Sequence, residues 1–527
     1  MNQLIYPTLD LFLYDLRDGL GETETQINQN RVNFRKKLPL PKKIGNSELL
    51  PSEELLVAIA EHDPPIEVEY AELFKTIQDK KIGDIKITNK RIWFEKQQRE
   101  YPLKGYYYPV RMGDTYALQL DCSVEATGDN VNSKGKAYSP SCFAYLKAEI
   151  DQRRNGENAT LAETWLISGQ IDNAFSNPEA IARDCYKYFI SGGNWEQDYQ
   201  GQGKLLGGTL FELWGYNPQA TPTTGLQTRY HVIIALYPDE ASAKVASQFN
   251  FDWIRLLNYR SKIIWAYTQS RDLKQNIKDD FSTISDCVGE LESNSYKNLD
   301  LKRLRRTLDK AQNTLAHYTV LLNQLETQLR TIETNLSNYQ KRLVRMEEKT
   351  KEQAIYLMIP EWGQSMIMPA KPNLSENDLV YSLMPIAEAQ RPSNLKFLEK
   401  FSQMVEQKYM LQVEKDYTSL NPGLRLLDSL INSIRGAIEI DQAKRDRRFQ
   451  TFVEVLGVGA TTTSLTATAV GPLIQQITTP PSGGTNEAAM LKYDPGLTWS
   501  FFFIGCVTVG LLASAIAYFL HWLRSRD

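Results

Sequence analysis

The 23 residues Phe501–Leu523 (FFFIGCVTVGLLASAIAYFLHWL) contain no Asp, Glu, Lys or Arg. A helix of this length spans roughly 35 Å at ~1.5 Å per residue, enough to cross a hydrocarbon core of about 30 Å. Trp499, Tyr518 and Trp522 stand near its ends, where interfacial aromatics gather. The stretch predicts a transmembrane helix, and that expectation constrains everything upstream of it.

A second uncharged run, Val455–Ile477, is rich in small and hydroxyl residues, and one helical face reads Gly457, Ala460, Ser464, Thr468 and Gly471. Small residues allow close helix packing in a membrane, and hydroxyls bond to a neighbour or line water. The run therefore predicts a first span enclosed by greasier second spans. Lys444, Arg445, Arg447 and Arg448 precede it, Arg524 and Arg526 follow the second span, and the connecting loop Thr478–Thr498 has one basic residue, Lys492. The positive-inside rule then puts both termini in the cytoplasm of a multi-pass plasma (inner) membrane protein. Five scattered cysteines without CxxC spacing fit a reducing compartment. The N-terminus has no basic region followed by an apolar run, so no secretory signal is expected.

The remaining chain is ordinary in composition, with a net charge of -3 and a mean hydropathy of -0.41, which points to no nucleic-acid partner and to few membrane segments. Residues 1–237 read as a cytoplasmic α/β domain. Tyr106–Arg111, Tyr116–Val124, Thr164–Ile167 and Tyr230–Tyr237 have the aromatic and β-branched content of strands. Glu53–Glu61 and Pro178–Phe189 read as helices, and Thr127–Lys136 and Gly192–Lys204 as loops. Residues 238–350 read as a long antiparallel helical hairpin that Pro238 opens and a link at Ser293–Asn298 reverses. Its second arm carries an unslipped four–three seam from Leu304 through Leu325 and Tyr339 to Met346. Prolines break residues 351–420 into a connection of loop and helix. Asn421-Pro422 then reads as an N-cap and first helical residue, opening a stalk over 421–477 that becomes the first span. Residues 478–498 form an external loop, and 499–527 the second span and basic tail. The expected fold is an α+β N-terminal domain, then long coiled-coil-like helices, then two C-terminal transmembrane helices. With two spans per chain, a pore requires several chains around an axis.

The order of large α/β body, long helices, a helix running into the first of two C-terminal spans, and a short basic tail resembles the CorA family of divalent-cation channels. The family's Gly-x-Asn signature has a counterpart in Gly484-Thr485-Asn486, followed by Glu487. Gly483 stands where the family has Tyr, and Pro480-Pro481 separate the triplet from the first span. The resemblance implies a homo-pentameric channel for Mg²⁺ or another divalent cation, gated by its cytoplasmic domain, with no permanently bound cofactor and the lipid bilayer as partner. It implies a pore lined by Gly457, Thr461, Ser464 and Thr468 and entered past Gly484, Thr485, Asn486 and Glu487. Asn486 would touch the ion through its hydration water, since hard cations shed water reluctantly. Glu454 would form a carboxylate ring at the cytoplasmic end, or pair with Arg447 or Arg448.

Two other readings stand beside this one. The large N-terminal domain suits a membrane effector that answers a small-molecule regulator, and the seam suits a membrane-tethered coiled-coil protein. Gly201-Gln202-Gly203-Lys204 lacks the upstream glycine and following hydroxyl of a phosphate loop. No nucleophile elbow or HExxH motif is present, so no enzyme is expected.

Overall fold

The computed structural model describes residues 3–19, 21–39, 71–72, 80–82, 85–88, 91–96, 100–124, 136–172, 177–216, 229–293, 301–358 and 391–443. It divides into two compact units, Met1–Asp272 with Leu325–Asp416, and Leu273–Gln324 with Tyr417–Asp527.

The first unit is built on strand β1 (Leu4–Leu16), whose alternating side chains create two faces. Leu9, Leu11 and Leu13 enter one hydrophobic core, while Asp10, Phe12 and Tyr14 point the other way. Helix α1 (Glu24–Lys36) follows, capped by a reciprocal Thr23–Gln26 capping box. Next come β2 (Ala71–Glu72), β3 (Lys80–Ile82), β4 (Ile85–Thr88), β5 (Arg91–Lys96), β6 (Leu103–Met112), β7 (Thr115–Val124) and β8 (Ala137–Tyr138). Helix α2 (Cys142–Arg153), β9 (Ala162–Ile171), α3 (Pro178–Phe189), the single turn α4 (Trp195–Asp198), β10 (Tyr199–Leu205), β11 (Gly208–Tyr216) and β12 (Arg229–Tyr237) complete the layer.

The strands form one sheet in the order β10-β11-β12-β9-β1-β7-β6-β5-β4-β3, with β2 on β6 and β8 on β1. Every pairing is antiparallel except β12 with β9, which is parallel. A parallel pair needs a long crossover, and the stretch through α3 supplies it. α3 starts where Asn177 accepts a hydrogen bond from the Glu179 N–H and Pro178 takes the first helical position. It buries Ile181, Ala182, Cys185, Tyr186 and Phe189, a spacing that presents one apolar stripe to the sheet. Full burial of each larger side chain contributes about 1.5–3 kcal/mol. With α2 it covers the face carrying Leu9, Leu11 and Leu13.

Helix α5 (Glu240–Ala246), N-capped by Asp239, and a short 3₁₀ turn lead into α6 (Asn250–Ser293). The first half of α6 covers the other face of the sheet. Tyr14 donates a 2.8 Å hydrogen bond from its hydroxyl to the Ile254 carbonyl, and the Tyr108 and Phe251 rings meet at 5.4 Å. Helix α7 (Leu301–Met358) follows, and in this unit its seam residues Leu325, Ile332, Leu336, Tyr339, Leu343 and Met346 are all buried. A 3₁₀ turn (Lys396–Leu398), α8 (Glu399–Met404), a π-helical turn (Val405–Met410) and α9 (Leu411–Leu420) come next. Tyr409 in the π turn stacks on Tyr267 of α6 at 4.0 Å, and Arg271 pairs with Asp416.

In the second unit, Thr307 of α7 donates to Glu290 of α6 at 2.9 Å, and His317 meets Asp280 at 2.8 Å, so the two helical segments run antiparallel there. Asn421-Pro422 opens α10 (Pro422–Ala443), as expected from sequence. Tyr318 donates a 2.6 Å hydrogen bond to the Leu420 carbonyl at the end of α9.

Several expectations need correction. Gly192–Lys204 is not a loop, because it holds α4 and most of β10. The two C-terminal transmembrane helices are not supported either: among the described residues no helix is long and apolar enough to cross a membrane. The long helices are amphipathic rather than apolar. α7 opens with Lys302, Arg303, Arg305, Arg306, Asp309 and Lys310, and α10 carries Arg425, Asp428, Arg435, Glu439 and Asp441. The corrected fold is an α+β sheet domain with long helices, and the plasma-membrane, channel and ion-transport reading is not carried further. The apolar runs 455–477 and 501–523 lie outside the described residues, as do the helix expected at 53–61, the loop at 127–135 and the continuation of α10.

Lys37, 1% exposed, pairs with Asp15, 2% exposed, at 2.6 Å, and the second Asp15 oxygen accepts from the Thr160 N–H at 2.8 Å. Removing one partner strands a buried charge, so Lys37→Ala should lose about 3–5 kcal/mol in urea denaturation. The double change Asp15→Leu with Lys37→Met should cost less than the single one. Equal or greater loss in the double variant would show that the pair does more than neutralise itself.

Candidate functional site

The residues singled out from sequence as pore-lining and ion-contacting, Glu454, Gly457, Thr461, Ser464, Thr468, Gly484, Thr485, Asn486 and Glu487, all lie outside the described residues. Among the described residues no group of three or more His, Cys, Asp or Glu side chains is placed to hold a metal ion. The described structure offers instead an open groove at one end of the large sheet.

Strand β10 is the outermost strand on its side, and the segment 391–394 closes its free edge. Lys204 donates its N–H to the Asn394 carbonyl at 2.9 Å, and Asn394 returns the bond at 2.8 Å. Gly207 N–H reaches the Pro392 carbonyl at 3.0 Å, and Leu206 N–H reaches the Ser393 hydroxyl at 2.9 Å. Phe397 then lies flat over β10. A Cβ on Gly203 would collide with the Asn394 carbonyl and the Phe397 ring, and one on Gly201 would sit 3.2 Å from Phe397 Cβ. Two glycines, poor strand formers on propensity alone, are therefore the residues this edge requires.

Beside this closure lies a groove of about 410 Å³. Its polar side chains come from three separate stretches: Asn177 and Glu179 at the start of α3, Gln202, Lys204 and Thr209 on β10 and β11, and Asn394. Phe211 and Pro178 supply the apolar part of the lining. Lys204 Nζ rests on the Thr209 hydroxyl at 2.7 Å. Asn177 Oδ1 accepts from the Glu179 N–H at 2.9 Å, and Asn394 Oδ1 accepts from the Lys396 N–H at 2.9 Å. Both amides thus spend an oxygen lone pair on local backbone, which fixes the side chains beside the groove. The carboxylate of Glu179 is held by Arg183 at 2.8 Å. Lys204 brings a positive charge to a lining that otherwise mixes donors and acceptors, and that charge favours a molecule with acceptor groups.

Two other polar clusters have catalytic composition, and the first has no access. On β9, β12 and β11, Thr164 Oγ1 lies 2.9 Å from His231 Nδ1, and His231 Nε2 lies 3.0 Å from Glu212 Oε1. This order of hydroxyl, imidazole and carboxylate matches a nucleophilic triad. Yet the three residues are 1%, 3% and 2% exposed, with Arg260 packed against Glu212, so no substrate reaches the hydroxyl. Burial lowers the His231 pKa to about 4 and keeps the ring neutral. On the α6 side of β1 and β7, Asp10 and Asp121 are cross-strand partners. Gln119 donates to Asp10 at 2.8 Å and to the Tyr106 hydroxyl at 3.1 Å, while Arg91 lies over the Tyr106 ring. Burial pushes the Asp10 carboxyl up to about 6, and burial together with the neighbouring Asp10 carboxylate pushes Asp121 well up. Both clusters read as polar cross-links of the core.

The chain matches no protein-family model, no curated protein and no solved structure. The sequence stretch that bore on the groove was Gly201-Gln202-Gly203-Lys204, a strand rather than a phosphate loop. Asn177, Thr209 and Asn394 carried no sequence signal, since they meet only through the fold.

The two buried clusters titrate in opposite directions. Asp10 holds its proton to about pH 6 in the fold and to 3.8 in the unfolded chain, so its contribution to stability falls as pH rises through that window. His231 accepts a proton at about 4 in the fold and 6.5 unfolded, so its contribution falls as pH drops through that window. Asp10→Asn should therefore raise the urea midpoint relative to wild type more at pH 7 than at pH 4. His231→Gln should compare better with wild type at pH 4.5 than at pH 7. Parallel curves for variant and wild type would contradict the assignment.

Proposed function

We propose that the protein is a ligand-binding, ligand-responsive protein whose α+β unit takes a small acceptor-rich molecule in the β10 groove. The observation that carries this is the convergence of Lys204, Asn177 and Asn394 donors, from three distant stretches, on one groove of about 410 Å³. That volume lies in the ~300–1,000 Å³ range of small-molecule sites, and a few fixed polar groups over an apolar floor is their usual lining. The burial of the Thr164–His231–Glu212 cluster supports binding over catalysis, because these groups of catalytic composition are sealed away from solvent. The reading also agrees with the size of the sheet domain, which exceeds what anchoring two or three helices requires.

Isothermal titration of the full chain against inorganic phosphate, citrate, glucose and free amino acids tests the proposal. A saturable ligand should be found, and Lys204→Met should weaken it about 10- to 100-fold, the loss expected for one hydrogen bond to a charged group. Binding that is indifferent to Lys204, or no binding across the panel, overturns it.

A further inference from the structure

Resting on the binding reading above, we infer that the groove recognises an oxyanion, phosphate or carboxylate, and that the oxyanion bridges Lys204 to Asn394 and so fastens residues 391–398 to the sheet edge. Lys204 and Asn394 are opposite members of an antiparallel bridge, and both line the groove. Directly opposed residues have Cβ atoms roughly 4.5–5.5 Å apart, a span that one oxyanion reaches with two of its oxygens. Lys204 offers an ammonium and Asn394 an amide N–H. The nearby carboxylate, Glu179, is paired with Arg183, a guanidinium that Glu196 shares. An oxyanion gains charge-assisted hydrogen bonds there that a neutral polyol lacks.

The segment that would be fastened is a strap that meets the edge strand β10 at a single β-bridge, the backbone contact a peptide makes when it begins to augment an exposed edge. Its backbone grip is the Lys204–Asn394 bond pair and the Gly207–Pro392 bond. At its start Arg391 binds Asp239 Oδ2 at 2.8 Å and the Ser242 hydroxyl. At its end Leu395 N–H reaches Glu347 Oε1 of α7 at 3.2 Å, and the Leu398 carbonyl accepts from Tyr339 at 3.2 Å. Leu395, Phe397 and Leu398 are buried. The strap thus joins the groove to α7 on one side and leads directly into α8 on the other. A ligand that holds Asn394 acts on the one segment that touches groove and long helix together.

Hydrogen–deuterium exchange of the full chain, with and without inorganic phosphate or citrate, provides the test. At a probe concentration of 100 times Kd, the Lys204, Gly207 and Asn394 amides should exchange up to about 100-fold more slowly, if the probe binds only the strapped state. Asn394→Ala, each rate read against the same variant without ligand, should abolish the ligand-induced slowing, because the backbone bridge survives and the bridging donor does not. Gly203→Ala, which sets a methyl against Asn394 and Phe397, should speed exchange at all three amides without ligand. Binding of phosphate or citrate with unchanged exchange overturns the strap coupling and leaves the groove as a binding site. Binding of glucose alone overturns the oxyanion class, and absence of binding by phosphate and citrate overturns this inference, while the binding reading falls only if glucose and free amino acids fail to bind as well.

Discussion

The alternation along β1 is the constraint on which the first unit depends. Thirteen residues run through the middle of the sheet with hydrogen-bonded neighbours on both sides, β9 and β7. Every second side chain must therefore serve one of two quite different environments. Leu9, Leu11 and Leu13 meet the apolar helices α2 and α3, whereas Asp10 and Tyr14 meet the polar shoulder of α6. A slip of one residue would drive Asp10 into the leucine core. The bulge between Ile5 and Thr8, where Tyr6 adopts a positive φ of 52°, sets the register before the long paired run begins.

Three sets of buried polar groups cross-link this unit. Lys37 answers Asp15, His231 joins Thr164 to Glu212, and Asp198 accepts from both Tyr186 and Tyr230, at 2.6 and 2.9 Å. Each set joins elements that are distant in sequence, so it specifies which strand or helix lies where as well as adding stability. The groove departs from that pattern. Its lysine and amides are held in place by Thr209 and by backbone N–H groups, yet they line an open groove.

Much of the architecture was legible where local chemistry and global packing agree. The aromatic and β-branched runs became β6, β7, β9 and β12; Pro178–Phe189 formed a helix with the expected limits; and the four–three seam is buried on α7. Failure came where long-range contact overrode local preference. Gly201 and Gly203 argue against a strand until Phe397, almost two hundred residues later, requires their missing side chains. Asn177, Lys204, Thr209 and Asn394 had no common signal because their proximity is a product of the sheet order. The stretches read as spans, with the Gly-x-Asn triplet, lie outside the described residues, and the long helices that are described carry charges on their outer faces.

The π-helical turn at Val405–Met410 has a consequence for tolerance to change. Such a turn accommodates one residue more than an α-helical path of the same length. Deleting a residue other than Tyr409 there would restore regular winding while α9 keeps its facing, so Asp416 would stay beside Arg271. The same deletion inside α9 would rotate everything after it by about 100°. A one-codon deletion should therefore be absorbed better in the π turn than in the regular helix that follows it.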